Sequence, residues 1–223
     1  MRRIFLIAVL LLFGWNSVQA AEPASYRIRI TNLTPGQVMT PPLWLVHQSS
    51  FSLFTLGEPA SSGLQTLAKD GDPSVLVGEV SSNPAVNSYA IGDGIPPVEL
   101  ATDAVFPGQS LEVTLAGSPT AFLSLASMLA STNDAFVSYR GLSLNMAPGQ
   151  TQVVFLSVYD AGAETNNESC DYIPGPPCGN AYVDTPGNEG FVHFHPGLTF
   201  GADLTPAHAF AFLAAQVTVE RIK

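Results

Sequence analysis

Apolar and polar residues alternate with a period of two along several stretches of this chain, and that period predicts β-strands. Tyr26, Ile28 and Ile30 share one face of a predicted strand while Arg27 and Arg29 share the other. Ser110–Leu115 and Ala214–Ile222 alternate in the same way. Leu43–His47 opens just after Pro41-Pro42, as a strand does where its first amide needs no ladder partner. Pro-Gly turns at Val105–Gln109 and Asn145–Gln150 precede further strand-like runs. Helical periodicity is confined to two short stretches, Ala60–Lys69 and Phe122–Ala130, and the Gly/Pro-marked region Asp70–Pro97 reads as loop. The pattern predicts an all-β chain, an antiparallel β-sandwich with long loops at one end and one or two short helices.

Residues 1–20 follow a different rule. Arg2 and Arg3 precede an apolar run from Ile4 to Phe13, and Val18-Gln19-Ala20 supplies small residues at a cleavage point. The segment reads as a secretory signal peptide, with the mature chain starting at Ala21 and residues 21–223 forming one domain. The apolar run is short for a membrane span, and prolines, glycines and polar residues interrupt every later candidate. An exported protein, periplasmic or secreted, with no membrane span after signal removal, is the expectation.

Removing residues 1–20 takes away two of the eight Lys/Arg and none of the eighteen Asp/Glu, leaving a charge near -12 (6 minus 18). Such a surface repels phosphate backbones, which argues against nucleic acid as a partner. The two cysteines, Cys170 and Cys178, flank a Pro-Gly-Pro-Pro turn. In an oxidising compartment they read as one disulfide, and their spacing differs from that of redox pairs.

Candidate chemistry concentrates where strands end. The apolar run Val153–Val158 stops at Asp160, and Gly162, Glu164, Asn166, Asn167 and Glu168 follow within eight residues. A second strand end, Thr132-Asn133-Asp134-Ala135-Phe136-Val137, carries another aspartate. Carboxylates and amides on strand-end loops suit a hard cation such as calcium; the alternative is a polar surface loop that binds nothing. Phe191-Val-His-Phe-His places His193 and His195 on one face of a strand, and His47 lies on another predicted strand. These three histidines are the alternative metal set, for zinc or copper, against a reading in which they only hydrogen-bond loop backbones.

Three segments carry a family resemblance: Phe54–Asp72, Ser127–Val137 with its Asn-Asp-Ala-Phe-Val, and Val158–Glu164 with its Tyr-Asp-Ala-Gly-Ala-Glu. In this order and spacing the chain resembles the spondin-domain family, including the bacterial exported members and the amino-terminal domain of F-spondin and mindin. The likeness runs from about Tyr26 to Lys223. It implies a β-sandwich similar to calcium-dependent membrane-binding modules, with calcium held at one end by Asp134 and Asp160, with Glu164 as a third ligand. Backbone carbonyls from Gly162 to Thr165 would fill further positions. Ala135 stands where animal members carry tryptophan, and Ala163 also departs from their pattern, so the animal partner surface is not carried across. The implied role is adhesion or binding, to an unidentified extracellular or envelope protein or glycan.

Enzymatic motifs are missing. The sequence has no Gly-x-Ser-x-Gly elbow, no Gly-rich phosphate loop and no His-Glu-x-x-His helix. Glu58, Asp70, Asp72, Asp103 and Glu189 are acidic but show no spacing that makes them converge, and Trp44 reads as core between Leu43 and Leu45. The expectation is a non-enzyme.

Overall fold

The computed structural model describes residues 23–92, 100–101, 104–105 and 108–223. The predicted signal peptide and cleavage point lie outside these residues, as do Asp103 and part of the Val105–Gln109 turn.

Among the described residues, eleven strands and two short α-helices follow one another as β1 (Ala24–Asn32), β2 (Leu43–His47), α1 (Ser62–Asp70), α2 (Ser74–Ser81), β3 (Val86–Ile91), β4 (Leu100–Ala101), β5 (Ala104–Val105), β6 (Ser110–Gly117), β7 (Phe122–Met128), β8 (Ala135–Ser143), β9 (Thr151–Asp160), β10 (His193–Phe194) and β11 (Leu213–Arg221), with a single 3-10 turn at Pro206–His208 before β11. Apart from the β4–β5 hairpin, the strands form one antiparallel sheet in the order β3-β2-β7-β8-β9-β11-β1-β6, with β10 pairing β9. The sheet curls until its two edge strands approach each other, and Ser88 on β3 donates to the Ala116 carbonyl on β6 at 3.0 Å. The all-β, sandwich-like class is as the alternation predicts, realised as one sheet folded over on itself.

The inward faces make the main core. Tyr26, Ile28 and Ile30 of β1 meet Trp44 and Val46 of β2, Val137 of β8, Leu156 and Val158 of β9, and Val217 and Val219 of β11. A second apolar layer lies outside the sheet. There Leu43, Leu45, Ala126, Phe136 and Tyr159 pack against Leu64, Leu67, Ala68, Leu76 and Val80 of the two helices. β2 is therefore buried on both faces, which explains why its sequence runs apolar without alternation.

Helix α1 forms because Leu64, Leu67 and Ala68 recur at helical spacing, Ser61 caps its start by accepting from the Leu64 amide, and Gly71 ends it in the left-handed region. Two expectations need correction. Phe122–Ala130 is not helical: Phe122–Met128 is β7, hydrogen-bonded between β2 and β8. Being covered on both faces removes the polar alternation that would have marked it as a strand. The described part of the region Asp70–Pro97, residues 70–92, is also not mostly loop, since α2 and β3 lie in it, while residues 93–97 lie outside the described residues. The Asp72 carboxylate accepts the Ser74 amide at the start of α2, and Leu76 and Val80, four apart, are buried beneath it.

Candidate metal centre at the end of strands β8 and β9

Antiparallel pairing sets Ala135 opposite Asp160, so Asp134 and Asp160, 26 residues apart in sequence, sit side by side at one end of the sheet. Both are fully buried. The Asp134 carbonyl accepts the Ala161 amide at 3.2 Å, and its Oδ2 accepts the amides of Ala163 (2.7 Å) and Glu164 (3.0 Å). Asp160 Oδ1 accepts the Gly162 amide at 2.7 Å. Gly162 has a φ of 65°, and a Cβ there would lie 2.2 Å from the Phe191 carbonyl oxygen. Only glycine lets the 161–168 loop pass so close to the segment that returns as β10.

β10 brings the histidines to the aspartates. His193 pairs with Asp160 and Phe194 with Tyr159. The Phe194 ring stacks on Tyr159 with centroids 5.0 Å apart, and buried Val192 is held by Gly57 and Glu58 through two backbone bonds. His193 Nε2 consequently lies 3.6 Å from Asp160 Oδ1. Glu189, on the same returning segment, completes a group in which Asp160, Glu189 and His193 each offer a ligand atom within 4.8 Å of the others. This group can hold a metal ion.

The acidic and histidine sets read separately in the sequence thus share one site, though not in the expected membership. Glu164 lies in the loop, but its buried carboxylate turns away and accepts the Thr185 amide at 2.7 Å. Its charged neighbours are Asp184, Lys69 and Asp70. His195 is buried, with its Nδ1 accepting the Gly197 amide (2.9 Å) and its Nε2 facing Asn166 Oδ1 (3.2 Å). Both ring nitrogens are occupied. His47 is at the opposite end of the sheet: it pairs with Phe122, and Phe122 with Ser143, the far end of β8 from Ala135. Eight residues of strand, about 25 Å, separate the two ends. Its ring nitrogens contact the Gln48 carbonyl and Ser124 Oγ, each at 2.8 Å. The expected His47–His193–His195 set is therefore not assembled, because the sheet carries His47 to its other rim.

Other residues of the acidic stretch build the loops. Glu168 Oε1 accepts the Thr199 amide and hydroxyl, and Oε2 accepts the Gly201 amide. The Gly162 carbonyl accepts from Gly190 and the Thr165 carbonyl from Asn167, each at 2.7 Å, so two of the expected carbonyl ligands already have partners. Cys170 and Cys178 form the expected disulfide, with their Cα atoms 4.9 Å apart. Glu189, which in the sequence shows no spacing that makes it converge with other acids, joins the site because the β9–β10 pairing brings its segment near Asp160.

The electrostatics of the cluster are one-sided. Among the described residues, none of Asp134, Asp160 and Glu189 is ion-paired to a lysine or arginine. Burial, and then the charge of Asp160, pushes the Asp134 carboxyl up to about 8. The same two causes raise Glu189. Burial holds His195 below its ordinary value, against the opposing pull of Asp160. Two carboxylate oxygens, Asp134 Oδ1 and Glu189 Oε2, are buried with no hydrogen-bond partner. Such groups are costly unless a hydrogen-bond donor or a cation meets them.

Among the described residues, no helix is long and apolar enough to cross a membrane. No family model matches the chain, and no curated protein matches it in sequence.

Proposed function

We propose that this protein is an exported β-sandwich binding module of the spondin type, in which a divalent cation at the β8–β9 end fixes the surrounding loops for contact with a partner. The observation that carries this reading is the convergence of Asp134, Asp160 and Glu189, with two buried, unpartnered oxygens and, among the described residues, no ion pair to a lysine or arginine. A divalent ion supplies the positive charge such a cluster lacks. It also ties the end of β9 to the Glu189–His193 segment at one point. The three sequence segments that resemble the spondin family include both aspartates, and the disulfide loop follows directly after the site.

The partner is an extracellular or envelope protein or glycan rather than a nucleic acid, since the acidic chain repels phosphate. The chain acts as a binding protein and not as an enzyme. A thermal melt of the mature protein in chelator, then with calcium, magnesium or zinc added separately, tests the reading. A ligand bound only by the folded state at 100 times its dissociation constant stabilises by about 2.7 kcal/mol. For a domain of this size that is roughly a 5–10 °C rise. Asp160→Ala should abolish the rise. No shift with any ion, or an undiminished shift in Asp160→Ala, refutes the reading.

A further inference from the structure

Resting on the cation-site reading above, we propose that the ion at Asp160, Glu189 and His193 is a nitrogen-accepting transition ion of the zinc class rather than calcium. His193 sets that preference, and the Asn166–His195 pair holds Asp160 in place for it.

The His193 ring is oriented as a ligand. Its Nδ1 meets the Phe194 carbonyl at 3.0 Å. A carbonyl can only accept, so Nδ1 carries the proton and the Nε2 lone pair is free. That lone pair is on the side of Asp160 Oδ1, 3.6 Å away. Ligating histidines characteristically donate their second N–H to a backbone carbonyl or carboxylate, which fixes both ring and tautomer. Two ligands each ~2.0 Å from a tetrahedral ion lie ~3.3 Å apart. The His193–Asp160 separation needs only a few tenths of an ångström of closure to reach that value.

Oxygen supply argues the same way. Calcium takes six to eight oxygens. Here the group brings together two carboxylates and one imidazole, and the Gly162 and Thr165 carbonyls and Asn166 Oδ1 each have one of their lone pairs engaged. Asp160 offers one carboxylate whose two oxygens each already accept a bond. Among the described residues, the buried side-chain oxygens without a partner are Asp134 Oδ1 and Glu189 Oε2. A zinc-class ion is satisfied by three protein ligands, and its fourth position is left to water or a partner's group.

The buried, unpartnered Asp134 Oδ1 points to a cation independently of the histidine. Its side chain is wholly buried, its Oδ2 is committed to two amides, and its Oδ1 has no hydrogen-bond partner. A divalent ion at the neighbouring Asp160–Glu189–His193 group is what would meet that oxygen's need.

His195 acts through its neighbours. Because the Gly197 amide donates to Nδ1, the proton of the neutral ring is on Nε2 and is donated to Asn166 Oδ1. The Asn166 amide then donates to Asp160 Oδ2. This chain stops the Asp160 carboxylate from rotating and keeps Oδ1 toward His193. His195 is thus a positioning residue, and the alternating histidines divide the work between a ligand and its support.

The test uses chelator-stripped full-length mature protein titrated calorimetrically with zinc and, separately, with calcium. The wild type should bind one zinc, undisplaced by millimolar calcium. His193→Asp should lose more zinc affinity than the roughly 10–100-fold that removing an outer-shell partner costs, and should gain calcium binding. His193→Gln should lose zinc affinity without gaining calcium. His195→Phe should weaken zinc by about 10–100-fold, while His195→Gln, which keeps an N–H for Asn166, should restore binding to within a few-fold. A purely structural role for His195 would lower the melting temperature of the metal-free protein and leave zinc affinity unchanged, and that result removes the positioning assignment. Calcium binding as tight as zinc, lost in Asp160→Ala, overturns the zinc preference while leaving the cation site standing. Zinc binding that survives His193→Asp overturns it too. Binding of neither ion removes the site itself.

Discussion

Glu164 offers a measurement that separates the role the sequence suggested from the one the fold gives it. Its carboxylate is 1% exposed, accepts the Thr185 amide, and is raised from 4.5 to about 7 chiefly by burial, with Asp184 and Asp70 adding to the effect and Lys69 opposing it. A carboxyl raised on folding stabilises the protein when protonated. Its contribution is fully present below the unfolded value of 4.5 and is lost as pH rises toward 7. At about 1.4 kcal/mol per pH unit, the lost stability is about 3 kcal/mol by pH 8 and under about 1 kcal/mol at pH 5. Glu164→Gln keeps an oxygen for the Thr185 amide and removes the charge. Its NH₂ also becomes a donor in a neighbourhood containing Asp184 and Asp70. In chelator, the variant should melt roughly 6–12 °C above wild type at pH 8, and the gap should close by pH 4.5. Zinc affinity should be unchanged, because this carboxylate does not face the ion. A variant no more stable than wild type at pH 8, or one that loses metal binding, refutes the reasoning.

Two further substitutions bear on the parts of the molecule around the site. His47→Phe removes the contacts to Gln48 and Ser124 in a buried position; it should lower stability by about 1–3 kcal/mol and leave metal titrations unaltered, and a loss of zinc binding would contradict the placement of His47 on the opposite rim. Replacing Cys170 and Cys178 together with alanine opens a short loop and should cost about 2–3 kcal/mol by the loop-entropy model, measured by urea denaturation. Binding should persist in that variant, since the disulfide touches none of the three proposed ligands.

Local patterning made much of the fold legible. Tyr26–Ile30, Ser110–Leu115 and Ala214–Ile222 each have one buried and one more exposed face, so their alternation could be read without knowing their neighbours. β7 and β2 differ because the helical layer covers one of their faces and the opposite part of the curled sheet covers the other. Burial on two sides erases the period, and in β7 the result imitated a helix. α2 and β3 were hidden by the glycine, proline and polar residues around them, and Leu76 and Val80 find their apolar partners on α1 and the sheet, far from their own local pattern.

The candidate site divides along the same line. Asp134 and Asp160 stood out because each ends an apolar strand, and a charge at that point interrupts a local pattern. The alternation of His193 and His195 was also visible. What no local pattern contains is registry between distant segments. The pairing of Ala135 with Asp160 sets the two aspartates together, and that of Asp160 with His193 adds the histidine and Glu189. The same sheet geometry sends His47 to the far rim and turns the Glu164 carboxylate toward Thr185. Sequence alone therefore determined the all-β class and the kinds of residue available to a cation. Which of them meet, and which nitrogen keeps a free lone pair, was decided by long-range hydrogen-bond registry, because only pairing between strands fixes where side chains far apart in the chain come to lie.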